Sequence, residues 1–446
     1  VVGHSVRGVY TVAGRRATAA SGLDGPERAV GAPAARCYEP SVLTPAEALA
    51  RILDRASEVA PLPAEAVPLA EALGRALAED LRARTPLPPF AAATMDGYAL
   101  RAADAPRPGA RLRVAFEVAA GHPAAAPLAR GACCRIFTGA PLPRGADAVE
   151  MQERVERDGE VAILGRAAEA GRFVRPAGDD VARGAVALAA GQVLDPGSIG
   201  LAASLGRARV RVRRRPRVAI LPTGDEVVPL GTRPGPGQIV ESNAHALAAA
   251  VADAGGVPVI LPIARDERRA LRRALAQARG ADVLVTTGGV SVGERDLVRE
   301  ALVAAGARLD FWRVAMRPGK PLAFGRLGRT LLFGLPGNPA SALVTFELFA
   351  RPALRALAGL PGSGRLVARG RLDTPQEKPP ELTVYLRVQA RREAGGLVLS
   401  PLRTQASGNT SSIAGHGALA VLPPGRRKVA RGAQVDAILL RPPTEG

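Results

Sequence analysis

Residues 286–296 read Thr-Thr-Gly-Gly-Val-Ser-Val-Gly-Glu-Arg-Asp, and three different chemistries could be built from them. Gly289-Val290-Ser291-Val292-Gly293 fits G-x-S-x-G, in which a sharp strand-to-helix turn presents a serine nucleophile. That chemistry needs a histidine to take the serine proton, and the four histidines are His4, His122, His245 and His416. Only His416 follows Ser291 in the order serine, acid, histidine, and it lies in a Gly-rich loop of a terminal β region with no evident path to the serine. The frame from Gly288 to Gly293 also has P-loop glycine spacing, but Glu294 and Arg295 stand where Lys and a hydroxyl residue must follow. A dinucleotide G-x-G-x-x-G is absent. What remains is a feature shared by all three. Glycines at the end of a strand let backbone N–H groups and the Ser291 hydroxyl surround an anion, although a tight turn without a ligand satisfies the same pattern.

Other groups favour the anion. Pro222-Thr223-Gly224-Asp225-Glu226 and the segment Gly334-Leu335-Pro336-Gly337-Asn338-Pro339-Ala340-Ser341 are two more polar glycine loops following apolar runs. Open parallel sheets bind ligands beyond the C-terminal ends of their strands, where such loops would converge. Between them Arg313, Arg317 and Lys320 supply cations for an anionic ligand. Glu226 and Asp296 share the rim, and hard oxygen donors of this kind suit Mg²⁺. Upstream, Met95-Asp96-Gly97-Tyr98 and Ile136-Phe137-Thr138-Gly139 each read alone as a capped turn.

The elements that must position these residues follow from pattern. Thr44-Pro45-Ala46-Glu47 is a capping box with Pro at the first helical position, opening a helix whose apolar face is Leu49, Ile52, Leu53 and Ala56. From 87 to about 177 the helical period gives way to short Val-rich runs, such as 112–119 and 132–137, separated by Gly and Pro. From 217 onward strands (217–222, 257–263, 281–289) alternate with helices (242–256, 266–278, from about 295, and 338–359), which predicts a parallel sheet with crossover helices. Runs at 382–389, 397–402, 418–423 and 435–440 predict a terminal β domain.

At 446 residues the chain must divide into several domains. Its 47% hydrophobic and 23% charged content is that of a soluble globular protein, and no apolar run reaches the roughly 20 residues that span a bilayer. Three cysteines, two of them adjacent, form neither a disulfide framework nor a zinc pattern, which points to the cytoplasm. The net charge of +19 suggests anionic partners, but aromatics are 3% and no nucleic-acid-binding signature is present, so nucleic acid is not the expected partner. The densest basic run, 207–217, alternates Arg with Val and reads as a solvated edge or linker. Residues 1–40 lack any period and are expected to be a disordered extension or the product of a misplaced start.

Taken together, the segments MDGYA, FTGAPLP, RPAGDDVARG, TGDEV, GQIVESN, GGVSVGERD, RPGKP and GLPGNPAS resemble, in order and approximate spacing over 41–440, the molybdopterin molybdenumtransferase family, which is related to the E domain of gephyrin. The resemblance implies a multidomain α/β architecture. A linking and dimerisation domain would occupy 41–86 and 178–215, a β-rich domain 87–177, a parallel-sheet molybdopterin-binding domain 216–360 and a C-terminal β domain 361–446. It further implies insertion of molybdenum from molybdate into adenylylated molybdopterin, with release of AMP and the help of Mg²⁺. The expected form is a cytoplasmic homodimer whose cleft is shared between subunits, with the molybdopterin adenylyltransferase as a candidate partner. Catalytic positions carried over by motif are Asp96, Thr138, Asp180, Glu226, Asp266 and Asp296, with Glu226 and Asp296 as the metal pair. Substrate positions are Gly288, Gly289, Ser291, Gly293, Arg313, Arg317, Lys320, Pro336, Gly337, Asn338, Pro339 and Ser407. The chain departs from the family pattern at Ala92 and Ala93, at Pro222, at Glu381 and Leu382, and at Arg313 and Arg317, where Lys is usual. A non-catalytic molybdopterin-binding or scaffolding paralogue on the same fold is the alternative.

Overall fold

The computed structural model describes residues 42–289 and 297–445, which form two compact units, Ala64–Val212 and the remainder. Ser291, Gly293, Asp296 and the first 40 residues of the chain therefore lie outside the described residues.

The unit Ala64–Val212 is built around a six-stranded sheet in the order Ala148–Met151, Gly97–Leu100, Ala132–Ile136, Arg111–Val118, Val161–Leu164, Val155–Asp158. Gly97 is required where it stands, because a Cβ there would lie 1.9 Å from the Glu150 carbonyl oxygen of the neighbouring strand. Short pairings flank this sheet, among them Ala92–Ala93 with Val174–Arg175 and Leu81–Arg82 with Val186–Leu188. The basic run expected to be an edge or linker forms the strand Arg209–Arg213, in which Val210 and Val212 are buried while Arg209 and Arg211 are exposed. Alternation of period two is what a half-buried strand demands.

In the other unit, the strands Val257–Ile260, Arg217–Pro222, Val283–Thr287 and Thr330–Leu335 are hydrogen-bonded in that order, all parallel. Alternate strand residues face two cores. Val218, Ile220, Val283 and Val285 pack with the helices Pro45–Ser57 and Asn243–Asp253. Ala219, Leu221 and Leu284 pack with Arg268–Gln277 and Leu297–Ala304. The pattern predicts a parallel sheet, but the sheet is mixed, because Pro321–Leu327 and Arg308–Arg313 extend it antiparallel. The connection from Leu327 to Thr330 passes through Gly328 at φ +60°, too short for a crossover helix and suited to a hairpin.

Thr44 caps the helix Pro45–Ser57 with both halves of the capping box in place. The helix expected over 338–359 is interrupted: Pro339–Thr345 and Arg351–Leu357 flank a π-helical turn, Phe346–Ala350. Pro352 has no N–H for a carbonyl one turn back, and wider turns of this kind re-route the ladder. After it, Thr383–Glu393, Gly396–Pro401, Leu366–Leu372, Gln434–Leu439 and Ala418–Leu422 pair in sequence, and the last returns to the first, closing a small barrel. Its interior is filled by Leu372, Val384, Leu386, Val388, Leu399, Ala420 and Ala437. No helix among the described residues is long and apolar enough to cross a membrane.

Candidate functional site

Register fixes what stands at the edge of the parallel sheet. Pro222 pairs with Thr287, Thr287 with Leu335, Gly334 with Ala323, and Pro321 with Arg313. Two reversals of direction bring the end of Arg308–Arg313 to the same edge as the three parallel strands, so Arg313 joins the glycine loops after Pro222, Thr287 and Leu335. Between these loops opens a cleft of ≈ 580 Å³, bordered by Glu226, Glu241, Asn243, Gly288, Pro336 and Asn338, with Gly408 and Thr410 from the barrel side.

The loops hold one another. Thr223 donates its N–H at 3.0 Å and its hydroxyl at 3.1 Å to the Thr287 carbonyl. Gly288 follows with φ +85°, and a Cβ there would meet the Thr223 carbonyl oxygen at 2.7 Å, so only glycine fits. Asn243 donates from Nδ2 to the Gly337 carbonyl at 2.7 Å. Asn338 donates from Nδ2 to Ser407 Oγ at 2.9 Å, and Ala340 N–H donates to the Ser407 carbonyl at 3.0 Å. The loop carrying Ser407 is itself tied to the strand Thr383–Glu393. Gln405 accepts the Arg387 N–H at 3.0 Å and returns a bond to the Arg387 carbonyl at 2.9 Å. The fully buried Arg387 guanidinium donates to the Ala406 carbonyl at 3.0 Å.

Charge is disposed unevenly along this end of the sheet. Arg313 is half-buried, and Arg317 and Lys320 are exposed on the segment joining the sheet edge to the barrel, where Arg317 pairs with Val384. On the acidic side, Asp266 stands before the helix Arg268–Gln277 rather than inside it, with its N–H on Asp225 Oδ1 at 3.2 Å. Burial, then the charges of Asp225 and Glu226, push the Asp266 carboxyl above its ordinary value. Carboxylates are hard oxygen donors of the type that suits Mg²⁺. Among the described residues no group of three or more His, Cys, Asp or Glu side chains could hold an ion, and Asp296 is outside them.

In the unit Ala64–Val212, Asp96 and Thr138 come together: Asp96 Oδ1 accepts the Thr138 N–H at 2.8 Å and its hydroxyl at 2.7 Å. These two bonds hold the Asp96 carboxyl below the usual carboxylate range. Arg135 stacks beside them, 5.3 Å from the Tyr98 ring and 5.1 Å from the Phe137 ring. Asp180 is exposed in the turn before Val181, with its N–H on the Leu87 carbonyl at 3.0 Å.

His416, the one histidine downstream of Ser291, is buried with Nδ1 against the Ile413 carbonyl, and burial lowers its affinity for a proton. It is a buried histidine with one ring nitrogen engaged by the backbone, and Ser291 lies outside the described residues. Asn243, Glu241 and Thr223 were not among the candidate positions. The segment GQIVESN was legible as a motif, but nothing in its spacing reveals a bond to Gly337.

A doubly wound sheet with glycine loops at its C-terminal edge, attached to a small β barrel and to a separate β-rich unit, defines a class. Residues 43–206 match the family MoeA N-terminal region (domain I and II), 219–356 the Probable molybdopterin binding domain, and 369–440 the MoeA C-terminal region (domain IV). The chain belongs to the molybdopterin molybdenumtransferase family. It is 36% identical over 393 residues to the molybdopterin molybdenumtransferase of Nostoc sp., spanning 84% of this chain and 88% of that one. Against Molybdopterin molybdenumtransferase 2 of Mycobacterium tuberculosis the identity is 41% over 305 residues, or 66% and 75% of the two chains. Among solved structures, a molybdopterin biosynthesis MoeA protein of Pyrococcus horikoshii superposes with a TM-score of 0.78 at 31% identity, covering 90% of this chain and 99% of that one.

Proposed function

We propose that this chain inserts molybdenum from molybdate into adenylylated molybdopterin with release of AMP, as a step of molybdenum cofactor biosynthesis. The observation that carries this reading is the convergence of three glycine loops and the barrel's Ser407 loop on one cleft of ≈ 580 Å³, with Arg313 at the same end of the sheet, in a chain of this family. That volume is of the size that takes a small organic ligand. In this reading Gly288, Gly289, Ser291 and Gly293 offer N–H and hydroxyl donors to an anionic group. Arg313, Arg317 and Lys320 hold the molybdate oxyanion or the phosphates, the arginines with bidentate geometry. Pro336, Gly337, Asn338, Pro339 and Ser407 form the wall against which the pterin-bearing half rests.

Glu226 and Asp296 would hold Mg²⁺, which supplies charge neutralisation at the phosphate and acidifies a bound water. Asp266, whose proton affinity is already raised, is suited to accept and hold a proton at its carboxylate. Asp96, Thr138 and Asp180 are proposed to complete the cleft of a second subunit in a homodimer, working in the cytoplasm and receiving substrate from the molybdopterin adenylyltransferase. The test is direct. Purified protein with adenylylated molybdopterin, molybdate and Mg²⁺ should release AMP in proportion to molybdenum bound, and folded protein that releases none would overturn the reading.

A further inference from the structure

The loop 336–339 lies beyond the end of the strand Thr330–Leu335, where no sheet ladder continues to fix its peptide groups. On the barrel side, the Asn338 carboxamide is anchored to Ser407 Oγ. On the other side, the Gly337 carbonyl accepts Asn243 Nδ2–H at 2.7 Å from 94 positions earlier in the chain. Asn243 is the first residue of the helix Asn243–Asp253, and the start of that helix is held from below. Glu241, 7% exposed, accepts the Ala244 N–H through Oε1 at 2.7 Å, and its own N–H donates to the Val228 carbonyl at 2.8 Å. Asn243 therefore projects from a held helix start to the carbonyl of a loop whose other side is tied to Ser407.

Gly337 is also a point of contact between two walls of the cleft. Gly288 N–H donates to the Leu335 carbonyl at 3.3 Å, and a methyl group on Gly337 would reach van der Waals contact with Gly288 Cα, so the loops after Leu335 and Thr287 run close together. Asn243, Gly288, Gly337 and Asn338 all line the same cleft. We propose that Asn243 is a positioning residue: its bond to the Gly337 carbonyl sets the separation of the helix Asn243–Asp253 from the loop 336–339 and holds the cleft in the shape that receives the substrate. This rests on the reading of the cleft given under Proposed function. The chemistry demands this residue type. Aspartate has the same shape but only acceptors, and would set a carboxylate against the carbonyl; glutamine keeps the donor on a stem one methylene longer.

The experiment compares wild type with Asn243→Asp, Asn243→Ala and Asn243→Gln in the full chain. The readouts are thermal unfolding, equilibrium binding of adenylylated molybdopterin, and the separate KM and kcat of AMP release. All three variants are expected to unfold as wild type does, since a water can replace the donor at a carbonyl this near the surface. Binding should weaken by about 10-fold or more in the Asp and Ala variants, with KM rising more than kcat falls, because small misplacements in a positioned site are costly. The Gln variant should recover part of the loss. Amide hydrogen exchange should quicken at 337–340 in the Asp and Ala variants and nowhere else. Asp and Ala variants that bind substrate as tightly as wild type would overturn the role of Asn243 while leaving the cleft intact as the substrate site. A wild type that binds no adenylylated molybdopterin overturns the cleft reading itself, and this inference with it.

Discussion

Asn338 and Ser407 stand 69 positions apart in the chain, and Asn338 Nδ2 donates to Ser407 Oγ at 2.9 Å. A loop of the α/β sheet and a loop of the barrel are thus joined at the rim of one cleft, and the Ala340 N–H repeats the junction through the Ser407 carbonyl at 3.0 Å. Ser407→Ala removes the side-chain bond and keeps the backbone one. A neutral hydrogen bond contributes about 1 kcal/mol net, so substrate affinity should fall by roughly 5-fold with little change in the unfolding temperature. Titration of adenylylated molybdopterin into the variant measures this; an unaltered affinity would mean that the backbone bond alone positions the loop.

Asp96 accepts two bonds from Thr138, one from N–H and one from the hydroxyl, and both lower its carboxyl pKa. A depressed folded-state value means that the contribution to stability is present above the unfolded value of aspartate and is lost as pH falls through the depressed one. Thr138→Val deletes the hydroxyl and spares the N–H, so the Asp96 carboxyl should titrate at higher pH than in wild type while staying below the ordinary aspartate value. Carboxyl ¹³C shifts of Asp96 followed through an acid titration give the answer. Identical midpoints in the two proteins would remove the hydroxyl as a cause.

Arg351, 2% exposed, is held by Glu347 at 2.7 Å and by Asp253, and Arg365 bridges the same two carboxylates at 3.0 and 2.8 Å. Glu347 lies within the π-helical turn Phe346–Ala350, and these ion pairs link that turn to the end of Asn243–Asp253, the element that carries Asn243. Glu347→Gln leaves a buried guanidinium with only the half-exposed Asp253 as its counter-charge. Removing one member of a buried pair costs about 3 kcal/mol, and a lowered denaturant midpoint at unchanged m should report it. A midpoint equal to that of wild type would show that Asp253 suffices.

Local chemistry was legible in the sequence, and chain-distant chemistry was not. The capping box at Thr44 and Glu47 is contained within four residues, and the buried strands Arg217–Pro222 and Val283–Thr287 declare themselves as apolar runs ending in glycine loops. The antiparallel extension by Pro321–Leu327 escaped the pattern because strand direction depends on the length of a turn and not on periodicity. The bonds Asn243 to Gly337 and Asn338 to Ser407 have no periodic signature at all, since each depends on where two separate segments end in space. Asp266 could be read as a carboxylate, but its raised proton affinity comes first from burial and then from Asp225 and Glu226, which only the folded chain brings beside it.

That last relationship carries the fourth prediction. Burial first, and the negative charges of Asp225 and Glu226 after it, raise the Asp266 carboxyl pKa, so the folded protein binds this proton more tightly than the unfolded chain does. The stabilising contribution is therefore present below the unfolded value of about 3.9 and is lost as pH rises through the raised folded value. At neutral pH an ionised Asp266 opposes folding. Asp266→Asn keeps the shape and discards the charge, so its thermal midpoint should exceed that of wild type at pH 7 in the presence of a chelator, with the gain shrinking as pH falls. Differential scanning calorimetry of the two proteins across pH under chelation measures the gap. An Asn variant less stable than wild type at pH 7 under chelation would mean that the Asp266 carboxylate makes a favourable contact outweighing the repulsion, and would turn attention from charge relief to that contact.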